Sequence, residues 1–148
     1  MTAKPKVFYT ATAKATGDGR KGHVESPDGL IDLDLVIPNP ITTPKKANPE
    51  LLFASGYSAC YNSAFQSAAK SMKIKLDASH VTAKVGIGPV SMHEFALAVT
   101  LEVEAFGIDQ ATAELIAAKA DTMCPYSNAV RGNIEVEVRV TAVETVGA

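Results

Sequence analysis

The sequence predicts an α+β fold with the element order βββαββαβ. Three observations carry this expectation. Several segments alternate apolar and polar residues with a period of two, most cleanly residues 134–140. A long stretch from Pro49 to about Lys73 opens on a helix-start signal and is filled with small residues. A second stretch, residues 111–123, carries apolar side chains at helical spacing behind an acidic cap.

In chain order, residues 7–14 alternate moderately and are expected to form a strand. The glycine-punctuated run Thr16-Gly17-Asp18-Gly19-Arg20-Lys21-Gly22 is a turn, and residues 23–26 resume extended structure. Pro27-Asp28-Gly29 is a second turn signal. It leads into residues 30–35, whose period of two marks a strand with one wet face. The three segments fit an antiparallel meander. Residues 38–49 hold four prolines, a density that neither a helix nor a central strand tolerates.

Asn48 as cap, Pro49 at the first helical position and Glu50 in the first turn then start a helix. Ala54, Ser55, Gly56, Ser58, Ala59, Ser63, Ala64, Ser67, Ala68 and Ala69 keep it slim, and charges are absent between Glu50 and Lys70. Such a helix is expected to be central and buried, with room for other backbone to approach it. Residues 81–87 and 94–106 form a hairpin broken at Gly88-Pro89. Asp109 caps the second helix, which presents Ala113, Ile116, Ala117 and Ala120 on one face. Antiparallel sheets around the central helix are the expected architecture, as one domain over residues 1–148.

With 47% hydrophobic residues the chain can build an ordinary core. The net charge of −2 is spread without a basic stripe, so nucleic acid and anionic membranes are not expected partners. Residues 1–5 lack the apolar core of a signal peptide, and no apolar run approaches a membrane span. A cytoplasmic location is therefore expected, where structural disulfides are rare. That setting raises interest in the two cysteines, although a lone cytosolic cysteine is commonly a small buried hydrophobe.

Cys60 lies mid-helix, about three turns in from Pro49. Its stripe is Phe53, Gly56, Ser63, Ala64 and Ser67, small apart from the phenylalanine. Close helix packing accounts for Gly56 and the alanines, and less well for serines beside a thiol. Reactivity needs thiolate, of which an ordinary cysteine supplies only a few per cent at neutral pH. Cys60 is too deep for help from the helix dipole, so a cation must come from elsewhere. Arg20, in its glycine-rich turn, is the candidate, and Glu50 could hold it by a bidentate pair. On residue types alone, a solvated turn arginine and a dipole-favouring first-turn acid are the preferred descriptions of these two residues. Cys124 ends the second helix and precedes Pro125, where it can cap a short helix; a packed cysteine at a chain reversal fits as well.

The cysteines are 64 positions apart, so they form no Cys-x-x-Cys loop. His23, His80 and His93 show no paired metal-ligand spacing. No Ser–His–acid elbow, phosphate loop or dinucleotide fingerprint is present, so neither a metal nor a cofactor is expected.

The stretch NPELLFASGYSACY, residues 48–61, resembles the peroxidatic-helix motif of the organic hydroperoxide resistance (Ohr) branch of the OsmC-like family. CPYSNAVRGNI, residues 124–134, is similar to that branch's second-cysteine motif. Gly19-Arg20-Lys21-Gly22 and Val85-Gly86-Ile87-Gly88 are similar to other parts of it, and the likeness covers nearly the whole chain in order. Two departures stand out: the turn before Arg20 is one residue longer, and Leu51 replaces a glutamine.

The resemblance implies the OsmC-like fold and an intertwined homodimer. It implies a peroxidase that reduces organic hydroperoxides, with Cys60 peroxidatic and Cys124 resolving. Arg20 becomes the thiolate-stabilising arginine, Glu50 its carboxylate partner, and dihydrolipoamide or a lipoylated protein the reductant. Phe53 is the expected apolar contact for substrate. Two other readings stand beside this one: an OsmC-type peroxidase with a different substrate preference, and a non-catalytic protein that binds a hydrophobic ligand or senses thiol oxidation. The joint presence of both cysteines, Arg20 and Glu50 weighs against the last.

Overall fold

The computed structural model describes residues 4–41 and 45–144. Parts of two expectations, the N-terminal leader at 1–5 and the proline loop at 38–49, fall on residues outside that range. The chain divides at Leu52/Phe53 into two compact units.

The N-terminal unit contains strands β1 (Lys14–Thr16), β2 (His23–Glu25) and β3 (Asp32–Asp34), an antiparallel meander in that order. Residues 7–13 do not join it as expected. The β2 strand is three residues long, because the chain turns again at Ser26, whose N–H reaches Ile31 O at 2.8 Å. Only Lys14, Ala15 and Thr16 therefore find opposite numbers, and Val7, Phe8 and Tyr9 are exposed. Asp32 and Asp34 face solvent while Leu33 between them is half-buried, the predicted alternation. Arg20 sits in a 3-10 turn, Gly19–Lys21. Gly22 closes that turn, where a Cβ would lie 2.1 Å from Thr16 O, so no other residue fits there.

Helix α1 (Pro49–Ser71) starts as its sequence demands: Asn48 Oδ1 accepts the Leu51 N–H at 2.8 Å, with Pro49 at the first helical position. Its first turn belongs to the N-terminal unit and the remainder to the C-terminal one.

The C-terminal unit adds β4 (Ala78–Pro89), β5 (Phe95–Phe106), α2 (Gln110–Met123), α3 (Pro125–Val130) and β6 (Val136–Val143). The β4–β5 hairpin is antiparallel from Ala78↔Phe106 to Pro89↔Phe95. Gly88-Pro89 does not break the strand; Pro89 ends it, where a missing N–H is tolerated, and the reversal is made by residues 90–94. The sheet order is β4-β5-β6, and β6 runs parallel to β5 from Val99↔Val136 to Phe106↔Val143. This sheet is thus mixed, whereas antiparallel sheets were expected. The cause is the connection: α2 and α3 carry the chain back along the sheet, so β6 leaves in the direction of β5.

Burial on α1 follows one stripe: Tyr57, Tyr61, Ala64, Phe65 and Ala68. Ser55, Ala59, Ser63 and Ser67 on the other side are exposed in the single chain. The buried stripe meets Val99, Leu101 and Val103 of β5 and Ala113, Ile116 and Ala120 of α2 in one core cluster. Both buried tyrosines satisfy their hydroxyls, Tyr61 on Ala117 O at 3.1 Å and Tyr57 with Ser127 Oγ at 2.7 Å. Asp109 caps α2 as predicted, its Oδ1 accepting from Thr112 N at 2.7 Å. No helix of the described residues is long and apolar enough to cross a membrane.

Candidate active site

Two constellations hold the residues singled out in the sequence, one in each unit. In the N-terminal unit Arg20 and Glu50, 30 positions apart, form a bidentate pair: Nη1 donates to Oε2 at 3.1 Å and Nη2 to Oε1. The Glu50 side chain is 8% exposed, that of Arg20 41%. The hydrogen bond from Arg20 holds the Glu50 carboxyl below its usual range, against the opposing effect of burial. Both members are therefore charged, and the guanidinium is anchored rather than free in solvent.

In the C-terminal unit, Cys60 and Cys124 come together as free thiols with their sulfurs 3.7 Å apart. Cys124 is fully buried and Cys60 half-buried. Cys124 is both the last cap of α2 and the first of α3: its N–H reaches Ala120 O at 2.9 Å, and its carbonyl accepts from Asn128 N at 3.0 Å. Both readings of this reversal hold: a short helix with Pro125 at its first position is present, a third helix beyond the expected order βββαββαβ, and Cys124 is packed at the turn.

Burial pushes the Cys60 thiol up. The backbone N–H of Tyr126 hydrogen-bonds the sulfur and pulls the other way, while the neighbouring Cys124 pushes it further up. Within this unit the balance favours the protonated thiol, so activation requires a positive charge.

The sequence reasoning missed Tyr126. Its hydroxyl lies where a Cβ on Gly56 would stand, at 2.3 Å, so the mid-helix glycine admits this ring. The ring is tilted over Tyr57 at 5.5 Å and meets the edge of Phe53 at 5.9 Å. Phe53, Tyr57 and Tyr126 thus make an aromatic wall on the turns of α1 preceding Cys60. A glycine costs a helix about 1 kcal/mol against alanine; that cost was the available signal that something packs closely there.

A third grouping went unforeseen. His23, Glu25 and Asp32 bring possible ligand atoms within 4.8 Å of one another. Sequence spacing could not reveal this, because β2 and β3 supply the residues from opposite sides of a turn. The imidazole is already occupied at both nitrogens, by Asp34 at 2.8 Å and Asp32 at 2.6 Å.

An α+β scaffold with two free, nearly touching cysteines brought together from distant positions defines a class of paired-thiol proteins. The OsmC-like protein family matches residues 42–139. Organic hydroperoxide resistance protein OhrA of Bacillus subtilis is 40% identical over 140 residues, covering 90% of this chain and 96% of that protein. Among solved structures, an organic hydroperoxide resistance protein from Legionella pneumophila superposes with a TM-score of 0.86 at 44% identity, covering 92% of this chain and 99% of that one. OhrB of Bacillus subtilis gives 0.84 at 37% identity, covering 91% and 100%. The chain belongs to the OsmC-like family, in its organic hydroperoxide resistance branch.

Proposed function

We propose that this protein is a thiol peroxidase that reduces organic hydroperoxides, alkyl or lipid, to alcohols. The observation that carries the reading is the 3.7 Å approach of two free cysteine sulfurs from positions 64 apart. Cys60 is the attacking sulfur. Its thiolate takes the terminal peroxide oxygen, the O–O bond breaks, and the alkoxide leaves as the alcohol after taking a proton. Cys60 is left as a sulfenic acid. Cys124 then attacks that sulfur, a disulfide forms and water departs. A dihydrolipoyl dithiol, free or protein-bound, reopens the disulfide by exchange and is itself oxidised to the cyclic disulfide.

Arg20 supplies the positive charge that the Cys60 thiolate requires, and Glu50 fixes the fork of its guanidinium. In support, Glu50 is nearly buried, ionised and bonded to Arg20 through both oxygens. Phe53, within the aromatic wall, favours apolar peroxides over hydrogen peroxide. The working form is an intertwined homodimer of one 1–148 domain per chain, acting in the cytoplasm.

The test is turnover of cumene hydroperoxide with dihydrolipoamide as reductant. Cys60→Ser is expected to abolish it. Cys124→Ser is expected to release one equivalent of alcohol per chain and then stall. Sustained turnover by Cys60→Ser would rule the assignment out.

A further inference from the structure

The chain reverses at Cys124, and the reversal is clamped by side chains. The last carbonyls of a helix have no partners within it. At the end of α2, Arg131 and Asn128 take two of them: Arg131 Nη2 donates to Asp121 O at 2.6 Å, and Asn128 Nδ2 to Thr122 O at 3.2 Å. The same guanidinium donates to Asp121 Oδ2 at 3.1 Å, and its Nη1 to Asn128 Oδ1 at 2.7 Å. Arg131 is the residue that ends α3, so its side chain reaches back across that short helix to the one before it. A cation at the negative end of α2 is electrostatically well placed there. The two helices meet in backbone at Cys124 and in side chains at this clamp, which together close a ring around the elbow. The Tyr57–Ser127 bond, 2.7 Å long, fastens α3 to the helix that bears Cys60.

We propose that Arg131, working through Asp121 and Asn128, is a positioning residue for the disulfide-forming step. The inference rests on the reading of Cys60 as the attacking and Cys124 as the resolving cysteine. In that step the Cys124 sulfur bonds to the Cys60 sulfur, the S–O bond of the sulfenic acid breaks, and its oxygen leaves as water with the Cys124 proton. The sulfurs must close from 3.7 Å to about 2.05 Å. That is a short travel only while the elbow holds Cys124 in place, and a misplacement of about 1 Å in such geometry slows a reaction by as much as about 100-fold. Arg131 and Asp121 are 46% and 42% exposed, so their pair adds little to global stability. The effect belongs to the rate of one step.

The experiment follows both steps in the purified native protein after one equivalent of cumene hydroperoxide. Loss of the Cys60 thiol reports the first step; partition between a dione-trapped sulfenic acid and the Cys60–Cys124 disulfide, read by mass spectrometry, reports the second. Arg131→Met is expected to form the disulfide about tenfold more slowly, with first-step rates within about twofold of the parent. Arg131→Lys, which keeps the charge but loses the fork, is expected to fall between them, and Asn128→Ala to behave as Arg131→Met. If Arg131→Met does not fold, the Arg131→Lys and Asn128→Ala proteins decide. Unchanged disulfide formation in the folded variants, or equal slowing of both steps, overturns the proposal. A parent protein whose Cys60 does not react with the peroxide would instead overturn the functional reading beneath it.

Discussion

Gly56 and Glu50 do more for the candidate site than their chemistry suggests. A methyl group at position 56 would stand 2.3 Å from the Tyr126 hydroxyl and 2.9 Å from its ring. Tyr126 has little freedom to retreat, being packed on Tyr57 and Phe53. Gly56→Ala is therefore expected to lower stability by about 1 kcal/mol, because overpacking outweighs the helix propensity gained. Urea denaturation measures this; a more stable Gly56→Ala protein would mean the ring moves at no cost. In the proposed mechanism Glu50 holds Arg20, to which it is bonded through both carboxylate oxygens. Its folded carboxyl is held below the ordinary range by the Arg20 hydrogen bond, so the pair's contribution is complete above the unfolded value of about 4.3 and is lost as pH falls through the depressed folded value. Glu50→Gln is expected to flatten this acid limb of stability. It is also expected to cut kcat/KM for cumene hydroperoxide by roughly tenfold to 100-fold, since the Arg20 fork loses its anchor. An unchanged acid limb would mean the pair adds nothing to stability, and full activity would mean that Arg20 needs no anchor at Glu50.

At the scale of elements, the N-terminal meander carries its own pH response. His23 on β2 is held between Asp34 and Asp32 of β3, and its imidazole is raised first by the Asp34 hydrogen bond and then by that of Asp32. A raised folded value means a contribution complete below the unfolded value of about 6.5 and lost as pH rises through the folded one. Amide protection factors in β2 and β3, with the base-catalysed intrinsic rate divided out, are therefore expected to fall above neutrality, together with a His23 NMR titration midpoint above about 6.5. A midpoint at or below that value would contradict it. Elements were also where local signals served best. The Asn48 and Asp109 caps, Pro49, and the small helix led by Pro125 all act within a turn of their own position, and each stands where its residues indicate. The strand expected over residues 7–14 shrank to Lys14–Thr16 because pairing depends on the length of β2, which lies beyond the alternation itself.

Over the whole molecule, what escaped the sequence is what depends on contacts between distant positions. The period-two pattern of residues 134–140 marks a strand, observed at Val136–Val143, but is blind to direction, and only the helical crossover made it parallel to β5. Tyr126 was visible as part of a motif, yet nothing local tied it to Gly56, 70 residues earlier. The cysteines were the reverse case. Each was ambiguous by itself, and their motifs together were specific enough to name the branch that the relatives bear out. The bidentate Arg20–Glu50 pair was anticipated as a possibility of residue types; its near-complete burial at Glu50 was not legible, since exposure belongs to the folded chain.

The central claim is that Cys60 and Cys124 act in sequence on one peroxide molecule. Intact-protein and peptide mass spectrometry after one equivalent of cumene hydroperoxide tests it most directly, with the alcohol quantified in the same sample. One equivalent of 2-phenyl-2-propanol is expected per chain, with a Cys60–Cys124 disulfide within that chain that dihydrolipoamide reverses. Alcohol release with Cys124 still a free thiol, or both thiols intact with the peroxide unconsumed, would contradict it.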